Sequence, residues 1–248
     1  MTVGNIFDYL NSLFPVYTAC DFDNAGLLIG DENAEVKKVL VALDCTFDTF
    51  KVALEKGCNL IITHHPVIFS PLKNILKGSL PFELLENGIA VISMHTNLDI
   101  GDGGVNECLC RAIGLKNISA FAAEDGFILR SGATSPVSAE RFAEEIKATL
   151  GGCVKFVDGG KEIKTVLVCS GSGGDFLETA IKGGFDAFVS SEIKHHQFLA
   201  AAECGISVFD AGHFNTEDIV IEPLCDLLKN NFKNIEFLTC HKTSIKCK

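Results

Sequence analysis

The stretch Leu60-Ile61-Ile62-Thr63-His64-His65-Pro66 decides how this chain is read. A short apolar run closed by a proline reads as a buried strand that stops abruptly, because proline cannot continue a central ladder. Neighbouring residues on a regular strand point to opposite faces, so His64 and His65 can serve one site only where the backbone leaves the strand. In open α/β sheets ligands bind outside the carboxyl ends of the strands. The competing reading is one buried, hydrogen-bonded histidine beside one exposed.

Working outward, the pattern recurs. Ile89-Ala90-Val91-Ile92-Ser93-Met94 ends in His95, with Asp99 four residues on, and Ile206-Ser207-Val208-Phe209 is followed by Asp210, His213 and Glu217. Three apolar runs that end in His, Asp or Glu suggest a shared site. Histidines and carboxylates on one sheet edge form a donor set of the two-metal hydrolase kind. Each carboxylate also has a plainer reading. Asp102 reads as the cap of a helix beginning near Gly104, and Glu217 as a first-turn carboxylate behind an N-cap Thr216.

Apolar runs alternate with helix-like segments at roughly 3–14, 46–56, 104–113, 138–150, 175–183, 194–203 and 217–230. That alternation predicts βαβ units and a largely parallel sheet. Thr46 and Ser138 are placed to cap two of the helices, and Gly57 and Gly151-Gly152 to end them. The halves also match each other. Val166-Leu167-Val168 lies 127 residues after Val39-Leu40-Val41, and Gly184 lies 127 after Gly57. Gly205-Ile206-Ser207-Val208 follows Gly88-Ile89-Ala90-Val91 at an offset of 117. These offsets predict two related α/β lobes with helices flanking each sheet. The polar stretch 117–124 and the turn-like Ser131–Pro136 place the boundary between 1–125 and 126–248, with 126–158 as an elaboration between the lobes.

Composition narrows the function. The chain has 248 residues and a formal net charge of −11, with no Lys/Arg-rich run, which disfavours nucleic acid as a partner. No apolar stretch approaches a membrane span, and the start lacks the positive region of a signal peptide, so a cytoplasmic location is expected. Eleven cysteines without CxxC spacing read as reduced thiols, mostly small core residues. The loop Cys169-Ser170-Gly171-Ser172-Gly173-Gly174-Asp175 opens a helix. It reads as a tight strand-to-helix turn, with phosphate binding as the second reading.

Five motifs in order carry a resemblance. They are Asp23-Asn24-x-Gly26-Leu27, Thr63-His64-His65-Pro66, His95-Thr96-x-Leu98-Asp99, Ser190-Ser191-Glu192-x-Lys194-x-His196 and Gly212-His213-x-x-Thr216-Glu217. Together they resemble the GTP cyclohydrolase 1 type 2 homologue family, also called NGG1-interacting-factor-3-like, in its compact form. The resemblance implies two related α/β lobes, a homohexameric ring and a site for two divalent metal ions in each subunit; mixed His/carboxylate ligands suit Zn, Fe, Mn or Ni. It places the ligands on His64, His65, Asp99, His213 and Glu217, and further polar site residues on His95 and His196. It implies a metal-dependent hydrolase acting on a small molecule, a nucleotide or related phosphorylated substrate. A non-catalytic metal-binding scaffold or regulatory ring is the alternative. The chain departs from the family pattern at Phe22, where a Trp is usual, at Ser190-Ser191-Glu192, where Thr-Gly-Asp is usual, and at Ser170-Gly171, where two glycines are common.

Overall fold

A computed structural model describes residues 1–246. In chain order the elements are α1 (Val3–Leu13), β1 (Gly26–Ile29), β2 (Lys38–Ala42), α2 (Phe47–Lys56), β3 (Leu60–Thr63), α3 (Leu80–Glu86), β4 (Ala90–Ser93), α4 (Thr96–Ile100) and α5 (Val105–Ala112). There follow β5 (Lys116–Ala122), β6 (Ile128–Val137), α6 (Ala139–Leu150), β7 (Lys155–Val157), β8 (Ile163–Val168), α7 (Leu177–Lys182), β9 (Ala187–Ser190) and α8 (His195–Cys204). The chain closes with β10 (Ser207–Asp210), α9 (His213–Glu217), α10 (Ile221–Asn231) and β11 (Glu236–Cys240).

The chain divides into two units. The first holds Met1–Gly101 and Ile221–Ser244, and the second Asp102–Val220. The first sheet runs β1-β4-β3-β2-β11, and only β1 is antiparallel to its neighbour. The second runs β5-β6-β8-β9-β10-β7 and is mixed, since β5, β6 and β7 each pair antiparallel. The expectation of a largely parallel sheet therefore holds for the first unit only.

The repeat read from the offsets is a repeat of topology. Strands β1-β4-β3-β2 and β7-β10-β9-β8 share order and direction. Val39 pairs with Leu60 and Leu60 with Ala90; in the second sheet Val166 pairs with Ala187 and Ala187 with Ser207, at the same offsets. Turn glycines follow suit: Gly57 and Gly184 have φ of +70° and +71°, a conformation costly for other L-residues. Helix ends also behave as expected, with Thr46 and Ser138 accepting from the backbone N–H of Thr49 and Arg141.

The expected boundary at 125/126 does not hold. Residues 123–127 form the turn of the β5–β6 hairpin, whose strands pair from Ala122–Ile128 to Lys116–Ala133. Hairpin turns and linkers use the same small polar residues, which is why composition misled here. Ser131–Pro136, read as turn-like, lies inside β6, and helix α5 belongs to the second unit. Nor is 126–158 an elaboration, because α6 and β7 are the second unit's counterparts of α1 and β1. The C-terminal part departs as well. Strand β11 pairs with β2 from Glu236–Lys38 to Cys240–Ala42, so residues 221–244 belong to the first unit.

Strands β3, β4, β9 and β10 are buried along their whole length, as strands covered on both faces must be. In the second unit Val166, Val168, Val189 and Phe209 pack against Leu109, Phe142 and Ile146 of α5 and α6. The alternate residues Leu167, Phe188 and Val208 pack against Leu177, Ala180 and Ala201 of α7 and α8. In the first, Leu40, Ile61 and Val91 meet Phe50, Ala53 and Leu84 of α2 and α3. No helix among the described residues is long and apolar enough to cross a membrane.

Candidate metal centre

Each unit presents histidines and carboxylates where its parallel strands end. In the first, His64 and His65 follow β3 directly and His95 follows β4 as the N-cap of α4. The strand ends at Thr63, ahead of Pro66, and the rings gather. Centroids lie 4.9 Å apart for His64–His65, 5.1 Å for His64–His95 and 5.6 Å for His65–His95. One ring nitrogen of each lies within 4.8 Å of the others. Asp99, on the short helix α4, places Oδ1 3.6 Å from His64 Nε2.

Each ring is oriented through Nδ1. That of His64 donates to the Met94 carbonyl at 2.9 Å, that of His65 to Asp44 Oδ1 at 2.7 Å, and that of His95 to Asp23 Oδ1 at 2.8 Å. A carbonyl or carboxylate can only accept, so the proton sits on Nδ1 and a neutral ring offers its lone pair at Nε2. Ligating histidines are held in this way, with the second ring nitrogen on a carbonyl or carboxylate. Asp23 also accepts from the Thr96 N–H and hydroxyl. Burial raises the pKa of Asp23, but the hydrogen bonds from His95 and Thr96, together with the imidazolium charge when His95 is protonated, outweigh it and hold the value at about 2.

In the second unit, β10 ends in Asp210, and Gly212 then turns the chain into α9. Asp210 accepts from the Gly212 and Ile193 N–H groups, fastening the loops on either side of His213. His213 Nδ1 donates to Glu192 Oε1 at 2.8 Å, and its Nε2 faces Glu217 Oε2 at 3.0 Å. Two acceptors at that distance share a proton or a cation, so the pair can serve as metal ligands. Thr216 is not an N-cap. It lies inside α9, which begins at His213, and its hydroxyl accepts from the Gly171 N–H while donating to the His213 carbonyl. Asp102 does not cap α5 either; it pairs with the buried Arg130 at 2.8 Å.

The glycine loop serves this centre by its shape. A Cβ on Gly171 would overlap Glu217 Oε1 and come within 3.3 Å of His213 Nε2. The N–H groups of Ser170, Gly171 and Gly173 donate to Asn106 Oδ1, Thr216 Oγ1 and the Gly171 carbonyl. These three donors are engaged within the protein, which supports the tight-turn reading.

The structure thus gathers His64, His65, His95 and Asp99 in the first unit, and His213 and Glu217 in the second. His196 lies exposed in the first turn of α8, outside these clusters. The orienting partner Asp44 escaped the residue reading, and Asp23 and Glu192 entered it only through the family motifs. Glu192 has φ of +55°, rare for a non-glycine residue, and no local sequence signal announces it. The cysteines described are thiols, not disulfides. Burial pushes those of Cys45 and Cys110 up to about 12, which fits inert core residues.

Comparison with known proteins shows the family. The chain is 34% identical over 232 residues to a GTP cyclohydrolase 1 type 2 homolog of Clostridium acetobutylicum, covering 88% of this chain and 85% of that one. It is 34% identical to its namesake in Campylobacter jejuni, with 93% of each covered. Among solved structures, a Staphylococcus aureus hypothetical protein superposes with a TM-score of 0.91 at 30% identity, over 100% of this chain and 99% of that one. Reduced HcgD from Methanocaldococcus jannaschii gives 0.83 at 29%, over 96% and 97%. The family model described as Duf34/NIF3 (NGG1p interacting factor 3) matches residues 1–245, and with relatives at this identity the chain belongs to that family.

Proposed function

We propose that the protein is a metal-dependent hydrolase whose ligands are His64, His65, Asp99, His213 and Glu217, with His95 and His196 handling protons. The observation that carries this reading is the common orientation of His64, His65, His95 and His213, each fixed through Nδ1 with Nε2 left for a ligand or a proton. Mixed imidazole and carboxylate donors suit two ions of Zn, Fe, Mn or Ni. Such ions, when bound, act as Lewis acids and make water a nucleophile near neutral pH.

The chain's own residues supply the rest. Asp44 and Glu192 keep His65 and His213 in the ligating tautomer. Asp23 holds His95 so that its Nε2 can take and return a proton. His196, exposed on α8, would exchange protons at the substrate. The names of the relatives support a nucleotide or related phosphorylated substrate, attacked hydrolytically at a ring carbon or at phosphorus. The family resemblance adds assembly as a homohexameric ring, for which sedimentation velocity is the check. The functional test is turnover of a panel of nucleotides and phosphoesters by protein of known metal content, before and after chelation. Hydrolysis lost on chelation and restored by one divalent metal is expected. A fully metallated protein inert to the whole panel would favour the scaffold reading.

A further inference from the structure

Two of the most exposed aromatic rings stand beside the first unit's histidines. Phe22 is 65% and Phe69 52% exposed, although the chain buries most of its large apolar side chains. Their centroids lie 6.4 Å apart with the planes tilted by 48°. Phe69 in turn meets His95 edge-on, at 6.1 Å and 83°. Phe22, Phe69 and His95 therefore form a ladder of rings that runs from solvent to the ligand cluster.

The rings are held in place. Phe22 precedes Asp23, whose carboxylate is fixed by His95 and Thr96. Asn24 Nδ2 donates to the Ile68 carbonyl at 2.5 Å and so ties the Phe22 loop to the residue before Phe69. The two rings already pack on each other, and their exposed faces suit stacking by a further flat group, because aromatic pairs favour offset or edge-on contacts at about 4.5–7 Å. The geometry points to Phe22 and Phe69 as an aromatic platform on which a planar heteroaromatic group of the substrate stacks beside His95. This deepens the hydrolase reading and rests on it for the word substrate, but the binding of a ring does not depend on metal or turnover.

The chain contains no tryptophan, so Phe22→Trp supplies a single indole at the platform. The experiment titrates chelator-treated, full-length Phe22→Trp protein with adenosine, using ribose as the control. Saturable quenching by adenosine and none by ribose is expected. Adding Phe69→Ala should weaken the apparent affinity at least about fivefold, the lower end for losing one ring stacked on a base, while Phe69→Tyr should retain it. No saturable quenching, equal quenching by ribose, or an affinity indifferent to Phe69→Ala would overturn the assignment. So would a change in sedimentation of the Phe69→Ala protein with quenching unaltered, which would make the patch a contact between copies. Failure of turnover with these results intact would sink only the hydrolase reading.

Discussion

The two units build on the same four strands but end them differently. After β3 the first unit carries His64 and His65; at the matching place after β9 the second carries Ser191 and Glu192, 127 residues on. His64 is fully buried and oriented by a backbone carbonyl, whereas His213 has 32% of its side chain exposed and is oriented by the exposed, left-handed Glu192. Duplication therefore preserved the scaffold and not the donors. The first unit supplies a clustered, rigid set of imidazoles, and the second a carboxylate and one ring on a short helix shaped by Gly171.

The comparison breaks most sharply at the buried histidine. His64→Ala should lower metal affinity more than about 100-fold, beyond the loss typical of an outer partner, as read by elemental analysis after dialysis. If the ligands work as one set, both ions go; if the units bind independently, one remains. Next in size is Asp44→Asn against Glu192→Gln. Each removes an orienting carboxylate, and each should cost about 10–100-fold in metal affinity by competition with a chromogenic chelator. The loss at Asp44 should be the larger, since His65 is the more buried ring. A larger loss at Glu192 would invert the comparison.

Acid should discriminate too. Asp23 has its pKa lowered to about 2 in the fold, against 3.8. Its stabilising contribution is therefore complete above the unfolded value and lost as pH falls from about 4 through 2, by roughly 2 kcal/mol. Urea melts of wild type and Asp23→Asn at pH 6 and pH 3 check this, and the difference between the two proteins should narrow at the lower pH. The smallest effect is expected from Glu192→Gly. It relieves a left-handed residue, so stability should stay level or rise by up to about 1 kcal/mol while metal affinity falls. A parallel fall in both would show that Glu192 is a structural residue only.

Much of this was legible in the chain. Apolar runs closed by His-His-Pro, His and Asp-x-Gly-His gave strands and their polar ends, and the offsets of 127 and 117 reproduce the strand registers. What escaped were non-local facts. Whether 123–127 is a linker or a hairpin turn depends on β5 pairing with β6, and the return of β11 to β2 spans nearly the whole chain. Thr216 was misplaced for a similar reason. Its hydroxyl is engaged by Gly171, 45 residues away, and Gly212 rather than Thr216 starts the helix. Partners such as Asp44 and Glu192 are chosen by the fold, and only a family motif or the structure itself can reveal them.

The central claim is that these histidines and carboxylates are metal ligands, and Glu217 tests it most directly because Glu217→Gln keeps size and helix while removing the charge. The measurement is elemental analysis of purified wild-type and Glu217→Gln protein, each checked for an unchanged circular dichroism spectrum and melting temperature. We predict about two divalent ions per wild-type chain, as in a two-metal site, and a marked loss in the folded variant. A folded Glu217→Gln protein with the same metal complement as wild type, or a wild-type protein that takes up none, would contradict the account.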